Sequence, residues 1–352
     1  MRRYSLLKEA ERLAQLLLVI FSSCSTNLTE EFGPVPLATQ GVYVLNEGAF
    51  GVGNSTLTLF VPDSSKVYQD VFRAVNGRNL GDTGSDIVIS GTSAFIVMNG
   101  SDKIEVMSTP NNRSVRTINL RTGRNPFSLA VLGSKGYVTN ENGASVTVLD
   151  IGNFTILRDS IPVGPNPQGI VATGGKIYVC NSGFGTGRTV SVIDASDRVS
   201  RTIQVGDGPS FAKVTSDGRV WVLCTGSYKT NTPGKIFVLD PAVDIVIDSI
   251  LVGGHPINMA ISSDGFAYVV GDNRVMKFNT RVNQITTASF IVGFPLSSNL
   301  YCVAIDEFNG DIYVADAKDY VQNGEVRIYG SDGFPKGRFD TGIIPGAIAF
   351  KR

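Results

Sequence analysis

A unit of about 40–50 residues recurs along this chain, and it constrains the fold more than any other feature. Each unit begins with an apolar run that follows a proline; these prolines are Pro126, Pro167, Pro209, Pro256, Pro295 and Pro345. Next comes an apolar strand centred on an aromatic residue, which is Tyr43, Phe95, Tyr137, Tyr178, Trp221, Tyr268 or Tyr313. A third strand then alternates in polarity, as in residues 146–150 and 190–194, and a fourth strand follows.

Four strands per unit are typical of a β-propeller blade, and the complete signals predict seven blades. Each blade buries its faces only against its neighbours, so the ring has to close. Blade 1 begins at Gly41 without a first strand, whereas residues 345–350 have the pattern of a first strand. We therefore predict an all-β, seven-bladed propeller in which the C-terminal strand (about 345–350) joins blade 1. Gly218, Gly265 and Gly310 are placed to supply positive φ angles in two-residue hairpin turns.

Residues 1–24 differ from the repeats and resemble an export signal. Basic residues come first, then the apolar run 16–21, and then two serines and Cys24. This order predicts a lipoprotein leader with Cys24 as the lipidated residue, a polar tether over 25–40 and the propeller over 41–352. An ordinary signal or a misassigned start codon is the alternative. We expect an exported protein at the outer membrane or cell surface, or on the periplasmic side, with the lipid as its only attachment to a membrane.

Charge and cysteine content bear on the partners. Basic and acidic residues both number 31 and no basic block occurs, so we expect no nucleic-acid partner. The single histidine, His255, argues against a histidine-based metal site or catalytic triad, and we expect no metal and no cofactor. Cys180, Cys224 and Cys302 lack metal-ligand spacing, and we expect them to be buried apolar side chains.

Two tetrapeptides resemble a known repeat family. Residues 137–140 read Tyr-Val-Thr-Asn, after which the YVTN family of propeller repeats is named, and residues 178–181 read Tyr-Val-Cys-Asn. The segment 44–54 resembles the first blade of bacterial surface propeller lipoproteins. This resemblance covers the chain from about residue 41 and implies the propeller fold. Some similar lipoproteins capture cobalamin and pass it to an outer-membrane transporter, which implies a corrinoid-like ligand and such a transporter as a partner.

Polar residues recur three positions after the strand aromatic, where the second strand should end. They are Asn46, Asn140, Asn181 and Asp316, with Asn99 one place later in blade 2. If this register holds, these side chains ring one face of the propeller and, together with Glu47 and Glu141, are candidates for ligand binding. The alternative is that each side chain caps its own loop through hydrogen bonds to the backbone.

The loops between second and third strands are long in blades 1, 4, 5 and 7, and they carry aromatic residues among amides and glycines. The aromatic residues are Phe50, Phe184, Tyr228 and Tyr320. Arg188 and His255 belong to loops of the same face. Rings that stack and amides that form hydrogen bonds suit a flat polar ligand or a glycan. The alternative is that these loops only tolerate insertions.

Three functions remain open. The first is a lipid-anchored, non-enzymatic binding propeller that captures a small molecule, a glycan or a partner protein on the loop face. The second is a hydrolase or lyase that uses channel carboxylates; Glu47 and Glu141 could act as acid and base only if they approach within roughly 5–10 Å. The third is an interaction scaffold without a small ligand. The scarcity of catalytic groups favours the first function.

Overall fold

The structure is a computed structural model that describes residues 38–352. These residues form seven four-stranded antiparallel sheets, which are the blades of a propeller. The predicted fold and the predicted number of blades are therefore confirmed. The leader with Cys24 and residues 25–37 of the tether lie outside the described residues.

Each blade runs from an innermost strand at the channel to an outermost strand at the rim. Blade 1 contains, in that order, β28 (Pro345–Lys351), β1 (Gly41–Asn46), β2 (Thr56–Val61) and β3 (Lys66–Tyr68). Blade 2 contains β4 (Gly84–Ser90), β5 (Ser93–Met98), β6 (Lys103–Ser108) and β7 (Ser114–Asn119). Blade 3 contains β8 (Pro126–Leu132), β9 (Lys135–Asn140), β10 (Ser145–Asp150) and β11 (Thr155–Pro162). Blade 4 contains β12 (Pro167–Thr173), β13 (Lys176–Asn181), β14 (Thr189–Ile193) and β15 (Val199–Gln204).

Blades 5 to 7 follow the same order. Blade 5 contains β16 (Pro209–Val214), β17 (Val220–Cys224), β18 (Lys235–Asp240) and β19 (Ile245–Leu251). Blade 6 contains β20 (Asn258–Ile261), β21 (Phe266–Gly271), β22 (Arg274–Asn279) and β23 (Gln284–Ile291). Blade 7 contains β24 (Leu300–Asp306), β25 (Asp311–Asp316), β26 (Asn323–Tyr329) and β27 (Pro335–Ile343). A short helix, α1 (Val71–Asn76), follows the last strand of blade 1 and precedes blade 2.

The ring closes in blade 1, as predicted. Strand β28 pairs antiparallel with β1, so that Val42 lies opposite Phe350 and Val44 opposite Ile348. A buried carboxylate of blade 7 stabilises this closure, because Asp306 Oδ1 accepts a hydrogen bond from Thr39 (2.8 Å) and pairs with Arg352 Nη1 (2.6 Å).

The core lies between the blades, and the strand aromatics explain how neighbouring blades are fixed. Each of the seven strand aromatics is at most 2% exposed. Tyr137 donates a hydrogen bond to Asp197 (2.7 Å) and Tyr178 to Asp244 (2.5 Å), each in the next blade. The Tyr of the Tyr-Val-x-Asn tetrapeptides therefore links two neighbouring blades through a hydrogen bond from a buried side chain, which is a structural role.

The hairpin turns between first and second strands follow the glycine prediction in conformation but not in length. Gly218, Gly265 and Gly310 have φ angles of 84°, 93° and 74°. The turn of blade 5 nevertheless spans residues 215–219, since the Thr215 N–H donates to the Arg219 carbonyl. The two-residue turn that we predicted is wrong for blade 5, because the Asp-Gly pair sits inside a longer hydrogen-bonded loop.

The cysteine prediction is also confirmed: Cys180, Cys224 and Cys302 are free and buried. Within residues 38–352, no helix has the length and apolar character needed to cross a membrane.

Candidate functional site

The innermost strands enclose a cavity of about 680 Å³ in the central channel. All seven blades contribute to its wall, through β28 and the first strands of blades 2 to 7. Apolar residues line its depth, whereas polar side chains collect where the innermost strands begin. The residues of this polar end include Glu47, Ser85, Asp86, Asn99, Ser128, Glu141, Gln168 and Tyr301.

Bulges at the start of the innermost strands aim several of these side chains. The pairing register skips a residue between Gly84 and Asp86, and between Leu300 and Cys302. The skipped residues, Ser85 and Tyr301, both line the channel. A bulge bends the strand locally and redirects a side chain, so it places polar groups at the mouth of an otherwise apolar channel.

The residue four positions after the strand aromatic forms a second, channel-facing set. Glu47, Asn99 and Glu141 occupy this position, and all three line the cavity. Their backbone N–H groups donate to the carbonyls of Ile344 (2.9 Å), Thr83 (2.7 Å) and Asn125 (3.0 Å), respectively. The same hydrogen bond in three blades therefore fixes where these side chains leave the backbone.

The residues three positions after the aromatic point into the blades instead. Asn46, Asn140 and Asn181 are fully buried, and each donates its side-chain amide to two hydroxyls of the third strand in the same blade. For Asn140 the acceptors are Ser145 (3.1 Å) and Thr147 (3.0 Å). Strands β1 and β9 end at Asn46 and Asn140, so the next residue, Glu47 or Glu141, already belongs to the loop at the channel mouth.

Glu141 is held as a fixed hydrogen-bond acceptor. Asn99 Nδ2 donates to Glu141 Oε2 (3.1 Å) and Gln168 Nε2 donates to Oε1 (2.8 Å). Burial raises the pKa of Glu141, while these two amide donors lower it. Asn125 extends the network, since its amide donates to Asn99 Oδ1 (3.2 Å). The carboxylate thus has a defined orientation before any ligand arrives.

Glu47 is the second glutamate of the channel, and its carboxyl group has fewer hydrogen-bond donors than that of Glu141. Burial raises its pKa to about 7, a hydrogen bond from Tyr301 works in the opposite direction, and the charge of Glu141 raises it further. Gly346 leaves room for this side chain, because a Cβ atom there would lie 2.6 Å from Glu47 Oε1. Glu47 therefore changes its charge near neutral pH, while it faces the same cavity as Glu141.

Further charged groups lie along the innermost strands. Asp86 Oδ2 accepts hydrogen bonds from the Ser128 hydroxyl (2.6 Å) and the Leu129 N–H (3.0 Å), which ties blade 2 to blade 3. Lys213 contributes an exposed cation to the wall of the same cavity. Among residues 38–352, the wall of the channel therefore combines three carboxyl groups with one ammonium group.

A second cavity of about 530 Å³ adjoins the channel mouth and collects three other predicted residues: Phe184, Tyr228 and His255. It shares Gln168, Ser210, Thr225 and Ile257 with the channel wall. The predicted set is thereby divided between two neighbouring cavities, the blade interior and the surrounding loops.

Four further predicted residues line neither cavity. Asp316 accepts the N–H groups of Lys318, in its own loop, and of Asn299, in the loop before β24. Arg188 pairs with Asp207 on the surface, and Phe50 is an exposed loop residue. Tyr320 packs edge-on against the channel residue Tyr301, with ring centroids 6.0 Å apart.

Two residues that contact the channel glutamates, Gln168 and Tyr301, were not among the predicted site residues. Gln168 directly follows Pro167, so its place at the start of an innermost strand was a usable signal. The bulges that turn such residues into the channel have no comparable signal in the sequence. Within the described residues, no group of three or more His, Cys, Asp or Glu side chains is placed to hold a metal ion.

A match to a protein family identifies the chain. Residues 40–231, more than half of the sequence, match the domain of unknown function DUF5074. The chain belongs to the DUF5074 family. No curated protein matches it.

Solved structures similar to this DUF5074 protein share its fold. A quinonprotein alcohol dehydrogenase-like protein from Bacteroides thetaiotaomicron has a TM-score of 0.69 at 14% identity, covering 89% of this chain and 78% of that one. Virginiamycin B lyase from Staphylococcus aureus has a TM-score of 0.61 at 14% identity, covering 76% and 88%. AztD from Citrobacter koseri has a TM-score of 0.57 at 10% identity, covering 88% and 98%. At these identities the likeness concerns the fold alone.

Proposed function

We propose that this protein is a non-enzymatic binding propeller that captures a small polar molecule at the mouth of its channel. The observation that carries the proposal is the arrangement around Glu141, whose two carboxylate oxygens are each held by an amide from a neighbouring blade. Orientation fixed in advance lowers the entropic cost of binding. The cavity of about 680 Å³ has the size of a small-molecule site.

Calorimetric titration of residues 38–352 tests this function. The probes are cyanocobalamin and a set of neutral trisaccharides, namely cellotriose, maltotriose and mannotriose. We expect at least one probe to bind wild-type protein and to bind at least tenfold more weakly to Glu141→Gln. Glu325→Gln is the control, because Glu325 lies in β26, pairs with Arg327 (2.6 Å) and does not line the channel. Heat release that is unchanged in Glu141→Gln would place binding elsewhere, and no binding by any probe would remove the support for capture.

We extend this proposal to export and a lipid anchor on Cys24, which rest on the leader-like residues 1–24. An outer-membrane transporter, or another surface protein, is then the expected partner on the loop face. Mass spectrometry of the full-length protein from a bacterial host tests the anchor. We expect a mass increase from acyl chains that Cys24→Ala removes; an unmodified Cys24 in fractionated membranes would contradict it.

A second candidate function is favoured by one observation: Glu47 and Glu141 line the same cavity, and their charges interact. A carboxyl group with a pKa of about 7 beside a second carboxyl group suits general acid–base catalysis. The test is hydrolysis of p-nitrophenyl glycosides. Turnover that Glu47→Gln abolishes would establish an enzyme; turnover that persists in this variant would count as contamination.

A further inference from the structure

The cavity of about 530 Å³ beside the channel mouth has features that the binding function above does not use. It lies between the loop after β13 and the loop after β17, in blades 4 and 5. Because Gln168 and Thr225 line both cavities, a bound molecule can extend from one into the other. The same Gln168 holds Glu141 Oε1 at 2.8 Å, so the two cavities meet at the fixed carboxylate.

Tyr228 provides an aromatic platform in this cavity. Its side chain is 83% exposed, and its ring stacks on His255 with centroids 3.6 Å apart. His255 is itself held, since its Nδ1 lies 3.0 Å from the Thr225 carbonyl. Reciprocal backbone hydrogen bonds between Ser227 and Thr232 fix the loop that carries Tyr228. One face of the ring is therefore supported, while the other stays open to solvent.

Phe184 supplies a second exposed ring, and its backbone adopts an unfavourable conformation. It is 67% exposed, and its φ and ψ angles of 50° and 48° lie in the left-handed region that bulky residues avoid. The turn is nevertheless closed by hydrogen bonds, from the Gly187 N–H to the Ser182 carbonyl (2.8 Å) and from the Thr186 N–H to Gly183 (3.1 Å). Strain of this kind persists where the surroundings impose it, and it concentrates at functional sites.

The rest of the wall is polar and largely uncharged. Hydroxyl groups come from Ser182, Thr186, Ser210, Thr225 and Ser227. Among the described residues of this wall, Lys229 is the one with a full charge, and the adjoining channel adds Glu47 and Glu141. Hydroxyl, amide and carboxylate groups together form hydrogen bonds with neutral hydroxyl groups.

We propose that this cavity is a stacking subsite for a neutral pyranose ring, which lies on the open face of Tyr228 and extends a glycan toward Glu141. A pyranose presents an apolar C–H face and a rim of hydroxyl groups, and this cavity offers an aromatic face surrounded by hydroxyl and amide groups. The inference rests on the binding function proposed above and adds the ligand class and the residues that select it.

Saturation-transfer NMR and calorimetry with cellotriose, maltotriose and mannotriose test the subsite. We expect one of these sugars to bind, and its ring C–H protons to receive saturation from wild-type protein. Tyr228→Ala should weaken this binding at least tenfold, and Tyr228→Leu, which keeps His255 covered without a ring, should weaken it nearly as much. Phe184→Ala should have a smaller effect. Phe334→Ala, on the opposite face and 72% exposed, is the matched control and should leave the affinity unchanged.

The outcomes separate the subsite from the function on which it rests. A trisaccharide that binds wild-type protein and Tyr228→Ala equally would overturn the subsite and leave capture at the channel standing. Binding of cyanocobalamin without binding of any sugar would do the same. If no probe bound at all, both the subsite and the binding function would be overturned.

Discussion

Asn46 and Glu47 are neighbours in the chain, as are Asn140 and Glu141, yet the two members of each pair face different parts of the molecule. The asparagines are fully buried and bind third-strand hydroxyls. The glutamates line the channel, where burial raises their pKa values. The difference shows that one position of the repeat serves the blade and the next serves the channel. Loss of side chains in the blade interior should therefore destabilise the fold, whereas loss of side chains at the mouth should weaken binding without destabilising the fold.

The largest contrast is expected between two tyrosines. Tyr178 is fully buried and clasps Asp244, so Tyr178→Ala should lower the free energy of unfolding by about 3–5 kcal/mol. Tyr228 is 83% exposed, and Tyr228→Ala should change it by less than about 0.5 kcal/mol. Urea denaturation followed by circular dichroism measures both. Equal losses of unfolding free energy in the two variants would contradict the assignment of a structural role to Tyr178 and a binding role to Tyr228.

Because the pKa of Glu47 is raised in the folded protein, we expect stability to depend on pH. Its pKa is about 7 in the folded protein and about 4.5 in the unfolded chain, so the folded state binds the proton more tightly. The contribution of protonated Glu47 to the free energy of unfolding is fully present below pH 4.5. Up to about 3 kcal/mol of it is lost as the pH rises through 7. Glu47→Gln should flatten this part of the stability curve and be the more stable protein at pH 8. Urea titrations between pH 4.5 and 8 measure it, and a variant with the wild-type slope would assign the effect to another group.

Asn140→Ala should have an intermediate effect. The substitution leaves the Ser145 and Thr147 hydroxyls without their shared amide donor, and it should cost about 1–2 kcal/mol. Thermal unfolding measures the change. Ser134→Ala, at an exposed position in the turn between β8 and β9 of the same blade, serves as the control and should unfold like wild-type protein.

The smallest effect concerns the backbone of the mouth. Phe184 has a φ angle of 50°, so Phe184→Gly should relieve strain and raise the free energy of unfolding by up to about 1 kcal/mol. Phe184→Ala keeps the unfavourable conformation and should give no such gain. Urea denaturation of the two variants measures the difference. A destabilised glycine variant would mean that the ring itself stabilises the fold.

The sequence was sufficient for the fold because the repeat depends on local patterns. The strand aromatics, the turn glycines and the unpaired first strand at residues 345–350 each have a signature that survives without an alignment. The blade count and the closure through β28 follow from these signatures. The prediction that the residues three positions after the aromatic ring one face was wrong for Asn46, Asn140 and Asn181, which the structure places inside their blades. In blades 1 and 3 the next residue, Glu47 or Glu141, lines the channel.

The site was less predictable because the direction of a side chain changes where a strand ends. Polarity alone does not distinguish Asn140, the last residue of β9, from Glu141, the first residue after it. The deciding partners, Ser145 and Thr147 for the amide and Gln168 for the carboxylate, come from other strands. The bulges at Ser85 and Tyr301 also change which side chains face the channel, and they depend on how the strands pair. YVTN-type kinship, surface location and the lipid anchor stay predictions.

One measurement tests most directly whether Asn140 serves the blade interior and Glu141 serves binding. Asn140→Ala and Glu141→Gln are titrated side by side with the tightest-binding probe among cyanocobalamin and the trisaccharides. Glu141→Gln should bind at least tenfold more weakly than wild-type protein while it unfolds at or above the wild-type temperature. Asn140→Ala should unfold earlier and bind with wild-type affinity below its transition. Wild-type affinity in Glu141→Gln, or a binding loss confined to Asn140→Ala, would contradict the assignment of the channel mouth as the binding site.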